Sequence, residues 1–421
     1  MIFLWITASS RWLSLVSSSV FVLRFFLPVN WYKVMGTHVQ EEILMDILSR
    51  LPVKSLVRFK CVSEFWNTLI SEPYFKKKHL NHAKNQPTFQ KMLFLKWSNK
   101  DDTFHFYCSS LSLVQLVKDI PRFDCPSNFD LANGVKLYSS CDGLSLIGIW
   151  SKPDREQPSI LLIWNPSTGE STILPHSKLL KQLGYNDDDD DWGSTYGLAY
   201  DSASDDYKVL RIDISRDDNA NEIMTLKSGS WRRIDKTSGK AVSCLLFGGE
   251  YLAVVHGAFH WLGILSRFCV VSFNISYEVY GEIPLPEILC SLPSTYLNRI
   301  HFDGGVSELG GMLYVWYKYD NTFSLWAMKD YGVKESWMKL FSITSTGFRD
   351  ITPIYKFSDD KVLLSMRVNL TIRIVNRIIS IGSFGISNRR WPLDCDDIDG
   401  VTINEDGIAY TESLISPRVG L

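Results

Sequence analysis

The sequence predicts a multidomain chain, α first and then all β: a short helical module ahead of a long domain of repeated hairpins. Three observations predict it. Between Val39 and Leu80 the apolar residues recur at helical spacing. From Lys91 onward that spacing gives way to short runs of Leu, Ile, Val, Phe, Tyr and Trp bounded by Gly, Asp, Asn, Ser and Pro. Within this second region one hairpin-like unit returns at intervals of about fifty residues, the spacing of a four-stranded propeller blade.

In the helical stretch Ile43, Ile47 and Leu51 stand four apart with Leu44 and Leu48 beside them, while Glu41, Glu42, Asp46 and Arg50 fall elsewhere, the pattern of an amphipathic helix. Pro52 ends it, because proline lacks a backbone donor and biases Leu51 out of the helical region. A second short helix then carries Leu56, Val57 and Phe59, and Ser63 can cap a third that carries Phe65, Trp66, Leu69 and Ile70. The Ser71–Glu72–Pro73 step closes that third helix. Three short helices cannot bury so many large apolar side chains on one another. Either the rest of the chain covers them or a partner protein does.

The run SRLPVKSLVRFKCVS, followed by Trp66, Leu69–Ile70 and Pro73, resembles a plant F-box. The resemblance implies a helical module that docks on a Skp-type adaptor, itself held by a cullin scaffold in an SCF ubiquitin ligase. It also implies that Val39, Ile43, Ile47, Leu48, Leu51, Pro52, Leu56 and Trp66 either meet the adaptor or hold the helices for it. Where the family usually opens with Leu-Pro this chain has Val39–Gln40, so the first helix lacks the proline that suits a first helical turn.

After a polar linker over residues 83–90, LLIWNPSTGESTILP at Leu161–Pro175 reads as strand, polar turn and strand ending in Leu-Pro. Weaker copies stand at Met224–Ile234, Val270–Pro286 and Phe323–Leu340. Gly-led strands precede three of these hairpins, at Ser140–Trp150, Val255–Gly263 and Leu309–Tyr317. A kelch-like β-propeller is the first architecture these repeats predict; a β-sandwich is the alternative, since hairpin-spaced turns serve both. Trp164, Trp231, Trp261, Trp316, Trp326 and Trp337 sit at repeat positions and are expected to fill blade cores. The motifs CDGL, WNPSTG, YGLAYDSASDDYKVLRI, SWRRI, HGAFHWL and YTESLISP resemble the F-box-associated interaction domain of plant F-box/kelch-repeat proteins. Asp142 stands where that family often has Asn, and Arg367–Arg390 matches its last hairpin poorly. The expected boundaries are an apolar extension over 1–36 outside the fold, an F-box over 37–82, the linker, and the propeller over 91–421.

A net charge of -2 in 421 residues gives no electrostatic footprint for nucleic acid, and Lys76–Lys77–Lys78 reads as a solvated helix face. The eight cysteines form no close CxxC pair, which suits a reducing compartment and gives no zinc-site spacing. Met1–Tyr32 is apolar apart from Arg11 and Arg24. It reads first as an upstream extension ahead of Met35, with a membrane anchor and a cleaved signal peptide as the other readings.

Catalytic signals are weak throughout. His256 and His260 stand four apart without the glutamate of the zinc-protease helix motif, and Gly257 between them argues against a helix. Gly143–Gly148 is a loose likeness of a nucleophile elbow. Five adjacent carboxylates at Asp187–Asp191 read as a solvated loop, since a calcium loop alternates ligands with spacing residues. Trp192, beside them, is the candidate recognition residue for a protein substrate. No metal or cofactor is implied. The resemblance therefore implies a non-catalytic substrate-recognition subunit in the cytoplasm or nucleus, partnered by the adaptor, the cullin and a protein substrate, with no nucleic-acid or membrane partner. The alternatives are a membrane-anchored or secreted propeller outside a ubiquitin ligase and, in another class, a propeller enzyme with ligands converging on its channel.

Overall fold

The computed structural model describes residues 41–98, 100–111, 122–123, 129–151, 157–177, 194–213, 221–234, 252–264, 268–286, 289, 303–319, 321–344, 348–359, 361–368, 374–380 and 404–418. They fall into two units that divide between His79 and Leu80.

In the first unit the helix stops do what proline and serine dictate. Helix α1 (Glu41–Leu48) ends ahead of Pro52, which precedes α2 (Val53–Lys60) with φ -58° and ψ 145°. Ser63 caps α3 (Glu64–Ser71), its hydroxyl accepting from the Trp66 N–H at 3.4 Å. Pro73 then opens a fourth helix, α4 (Pro73–Lys84), where three were expected; proline's fixed φ suits a first helical turn as well as it stops the turn before. The stretch read as linker thus begins inside α4 and continues through a 3-10 turn at Pro87–Phe89. Met45, Leu48, Val53, Leu56, Leu69, Ile70 and Phe75 are buried. His79, also buried, places Nε2 3.0 Å from the Leu51 carbonyl. A carbonyl only accepts, so Nε2 carries the proton and satisfies the Leu51 carbonyl, since the Ser55 N–H four residues on bonds the Pro52 carbonyl instead.

The second unit is a propeller. Its sheets are β1 (Gln90–Ser98), β2 (Thr103–Ser110) and β3 (Arg122–Phe123), joined by β23 (Asn404–Thr411); β4 (Val135–Cys141), β5 (Leu144–Ile149), β6 (Ile160–Trp164) and β7 (Ser171–Leu174); and β8 (Ser194–Asp201), β9 (Asp206–Asp213), β10 (Glu222–Thr225) and β11 (Ser230–Arg233). Then come β12 (Ala253–Val255), β13 (Ala258–Ile264), β14 (Phe268–Asn274) and β15 (Tyr280–Ile283); β16 (Asp303–Leu309), β17 (Met312–Tyr319), β18 (Thr322–Met328) and β19 (Trp337–Thr344); and β20 (Phe348–Lys356), β21 (Lys361–Val368) and β22 (Ile374–Ser380). Every pairing is antiparallel, and β23 joins β1 in a register running from Gln90↔Thr411 to Lys96↔Asn404.

Among the described residues, six apolar clusters lie between successive sheets and close the ring. Phe106 with Trp164 fills the first seam, Leu146 with Leu198 the second, Leu210 with Phe259 the third and Val270 with Val315 the fourth. Leu325 with Leu364 fills the fifth, and Leu363 with Phe94 brings the sixth sheet back onto the first. This is the propeller and not the sandwich, because each sheet is covered on both faces by different neighbours. It also explains why the middle strands are unbroken apolar runs: all six residues of β5 are buried. Trp164, Trp261, Trp316 and Trp337 are buried, as their repeat positions predict; Trp231 and Trp326 are partly so. The Leu-Pro hairpin ending has a physical role in one copy and the analogous Ile-Pro in another. The Trp231 indole donates to the Pro175 carbonyl of the preceding sheet at 2.6 Å, and Trp337 donates to the Pro284 carbonyl at 2.9 Å.

The repeated hairpin turn is likewise one device used three times. Gly169 N–H donates to Asn165 O, Gly229 N–H to Thr225 O and Glu278 N–H to Asn274 O, at 2.9, 3.0 and 2.8 Å. In each copy the first residue's side-chain oxygen accepts from a backbone N–H inside the turn. The last position is left-handed in all three, and the third copy puts Glu278 there at φ 57°. Its carboxylate is held by Lys208 Nζ at 3.1 Å and by Arg232. Lys208 also lies 3.0 Å from Asp201. Burial acts to raise the Asp201 pKa, but hydrogen bonds from Ser276, Ser204, Lys208 and the Ala203 N–H hold the carboxyl well below the usual range. Asp201 and Lys208 of the YDSASDDYK run thus form the buried part of an ion network that ties the third sheet to the fourth.

Candidate functional site

The helical unit leaves an apolar surface uncovered. Ile43 and Ile47 lie one helical turn apart on α1 and are each 50% exposed, while Met45 and Leu48 on the other side of the same helix are buried, Leu48 at 3%. Val62 and Phe65, at the α2–α3 corner, and Tyr74, at the start of α4, are also exposed. Trp66 is half-buried, its ring 5.9 Å from Phe59 and 6.0 Å from Phe65. Asp46 bonds Lys78 across α1 and α4; that hydrogen bond holds the Asp46 carboxyl below its usual pKa and the ammonium of Lys78 above its own. Both groups face water, where solvent screens such a pair and leaves it little to contribute. Burial of Met45 and Leu48, at roughly 1.5–3 kcal/mol a side chain, is what seats α1.

The residues singled out in the sequence therefore divide. Ile43, Ile47 and Pro52 face outward, Leu48 and Leu56 face the core, and Leu51 and Trp66 are half-buried. Val39 and Trp192 lie outside the described residues, as do Asp187–Asp191 and Met1–Tyr32. Val62 and Tyr74 carried no signal, because they flank helix starts where helical spacing does not reach.

His256 and His260 meet a tyrosine. His256, in the tight β12–β13 turn with φ 48°, packs on Tyr331 at 4.8 Å between ring centroids, and His260 Nε2 lies 2.7 Å from Tyr331 Oη. Among the described residues no group of three or more His, Cys, Asp or Glu side chains is placed to hold a metal ion. Burial lowers the His260 pKa from 6.5 to about 4. The folded state then keeps the ring neutral where the unfolded chain takes up a proton. This contribution to stability is complete above pH 6.5 and is lost as pH falls towards 4, at up to about 1.4 kcal/mol per pH unit. Urea unfolding at pH 6.5 and pH 5 is expected to show the native chain losing about 2 kcal/mol more than His260→Gln; equal losses would refute the assignment.

On the propeller, tight turns join the first two strands and the last two strands of each of the second to fifth blades at one end of the ring. No helix among the described residues is long and apolar enough to cross a membrane.

A helical unit with an exposed apolar face ahead of a β-propeller is the arrangement by which the chain's family is known. The chain belongs to the family with an F-box associated beta propeller domain, which matches residues 92–359, and an F-box domain matches residues 40–78 ahead of it. The F-box protein CPR1 of Arabidopsis thaliana is 27% identical over 360 residues, covering 78% of this chain and 79% of that protein. An F-box/kelch-repeat protein of the same plant is 27% identical over 393 residues, covering 90% and 95%. Among solved structures, TolB from Acinetobacter baumannii aligns with a TM-score of 0.42 at 8% identity, over 74% of this chain and 68% of that one.

Proposed function

We propose that this chain is the substrate-recognition subunit of an SCF-type, cullin-RING E3 ubiquitin ligase: its F-box docks on a Skp-type adaptor, and its propeller, of the kelch-like type, holds the protein to be ubiquitinated. The observation that carries the reading is the pair Ile43 and Ile47, each 50% exposed on one face of α1 inside the F-box. An exposed apolar face of this kind marks a protein contact, because leaving it in water forfeits burial at about 25 cal/mol per Å². Val62, Phe65 and Tyr74 extend the apolar surface available to the adaptor.

The chain makes and breaks no bond in this reading. It raises the effective concentration of a substrate lysine near the ubiquitin-charged enzyme, so selectivity rests on the propeller's affinity. The cytoplasm or nucleus follows as the place of action, where adaptor and cullin are found, and Cys61, Cys108 and Cys141, which form no disulfide, suit it. Reconstitution tests the proposal. The chain, a Skp-type adaptor and a cullin scaffold are expected to elute as one complex, and the chain is expected to leave the complex when the adaptor is omitted. A chain that elutes alone in both mixtures would overturn the proposal.

A further inference from the structure

The first blade is built from both ends of the propeller unit, with β23 pairing with β1. One pairing between strands more than 300 residues apart in the chain is a natural place for a ring to open, since no local sequence holds it. The chain does not stop at β23. Residues 412–418 continue past the β4–β5 and β6–β7 turns of the second blade, and several of their polar groups are taken up. The Glu412 N–H donates to the Phe89 carbonyl at 2.9 Å, and the buried Ser413 hydroxyl donates to the Asp142 carbonyl at 2.6 Å. Leu414 is buried, and Ile415 packs on the cluster between the second and third blades.

The central contact is Asn165. Its side chain is fully buried, and its amide Nδ2 donates to the Ser413 carbonyl at 3.0 Å and to the Ile415 carbonyl at 2.7 Å. Its Oδ1 meanwhile accepts from the Ser167 N–H at 2.8 Å within its own turn. One side chain therefore shapes the WNPSTG turn with its oxygen and grips the chain's end with its nitrogen. The turn opposite is shaped to let the tail in. A Cβ at Gly143, where φ is +85°, would overlap Ser413 Oγ and lie 2.6 Å from the Thr411 carbonyl. Asp142 in the same turn also receives Lys84 at 2.6 Å and the Tyr207 hydroxyl at 3.0 Å.

From these contacts we infer that residues 412–418 are a strap that locks the ring across the seam between the first and second blades, with Asn165 as its clasp. The strap adds contacts to the second blade beyond the β1–β23 pairing, and it joins the sequence motifs CDGL, WNPSTG and YTESLISP as three parts of one closure. An isosteric change isolates it. Asn165→Asp keeps the oxygen that shapes the turn and replaces the donor by a carboxylate oxygen facing two carbonyls.

The test is amide hydrogen exchange on the full chain, on Asn165→Asp and on a chain ending at Thr411. Both variants are expected to exchange about tenfold or more faster in β23 and β1, with β13, β14 and β17 unchanged. In Asn165→Asp the Glu412 amide is expected to lose its protection as well. Native exchange rates in β23 and β1 of Asn165→Asp would overturn the strap. So would equal acceleration in all six blades, because Asn165 would then act through its own turn and not through the tail.

Discussion

Replacing Glu222 by Gln is expected to destabilise the propeller by about 3–5 kcal/mol, the cost of breaking a buried ion pair by removing one partner. Arg211 and Glu222 are 1% and 2% exposed, with Nη1 2.7 Å from Oε2 on adjacent strands β9 and β10. Ser177 donates to the other carboxylate oxygen at 2.7 Å. The neutral amide keeps the size of the side chain and removes the charge that offsets the guanidinium. At 1% exposure Arg211 gains no hydration in exchange for the carboxylate charge it loses. Removing both charges, as Arg211→Met with Glu222→Met, is expected to cost much less than the single change, because buried pairs gain little over apolar residues of similar volume. Urea unfolding followed by tryptophan fluorescence checks both variants. A single-variant cost below about 1 kcal/mol would show that the pair is not isolated from solvent.

Glutamate at both Ile43 and Ile47 is expected to weaken adaptor binding by about 100-fold or more while leaving the unfolding transition within about 0.5 kcal/mol of the native chain. The two side chains are half exposed, so each forfeits roughly 1–2 kcal/mol of burial on docking, and each introduced carboxylate adds a desolvation cost at the contact. Glutamate is a good helix former, so α1 itself is kept. Leu48→Glu would give no such separation. Leu48 is 3% exposed, and a charge there would disrupt the packing of the unit together with any docking.

This difference between Ile47 and Leu48 marks where sequence reading runs out. Helix α1 carries apolar residues on more than one side, so periodicity reveals a helix but not which side is the core. Ile43 and Ile47 have the better four-residue spacing, yet Met45 and Leu48 are the ones buried. Local signals were legible wherever one residue decides the backbone. Pro52 and Ser63 punctuate the helices, and Gly169 takes the left-handed position of the polar turn in the Leu161–Pro175 hairpin. The hairpin at Val270–Pro286 is the fainter copy because Glu278 occupies the glycine position, held there by Lys208 and Arg232 from another sheet. Contacts of that range leave no local trace, nor does the return of β23 to β1. The sixth sheet has three strands among the described residues, and the poorly matching stretch Arg367–Arg390 begins in its β21.

The most direct test of the docking claim is hydrogen exchange on the full chain with and without a purified Skp-type adaptor. A one-to-one complex is expected, with slowed exchange in α1 and at the α2–α3 corner that carries Val62 and Phe65. Absence of a complex, or slowing confined to the blades with α1 unchanged, would contradict the account.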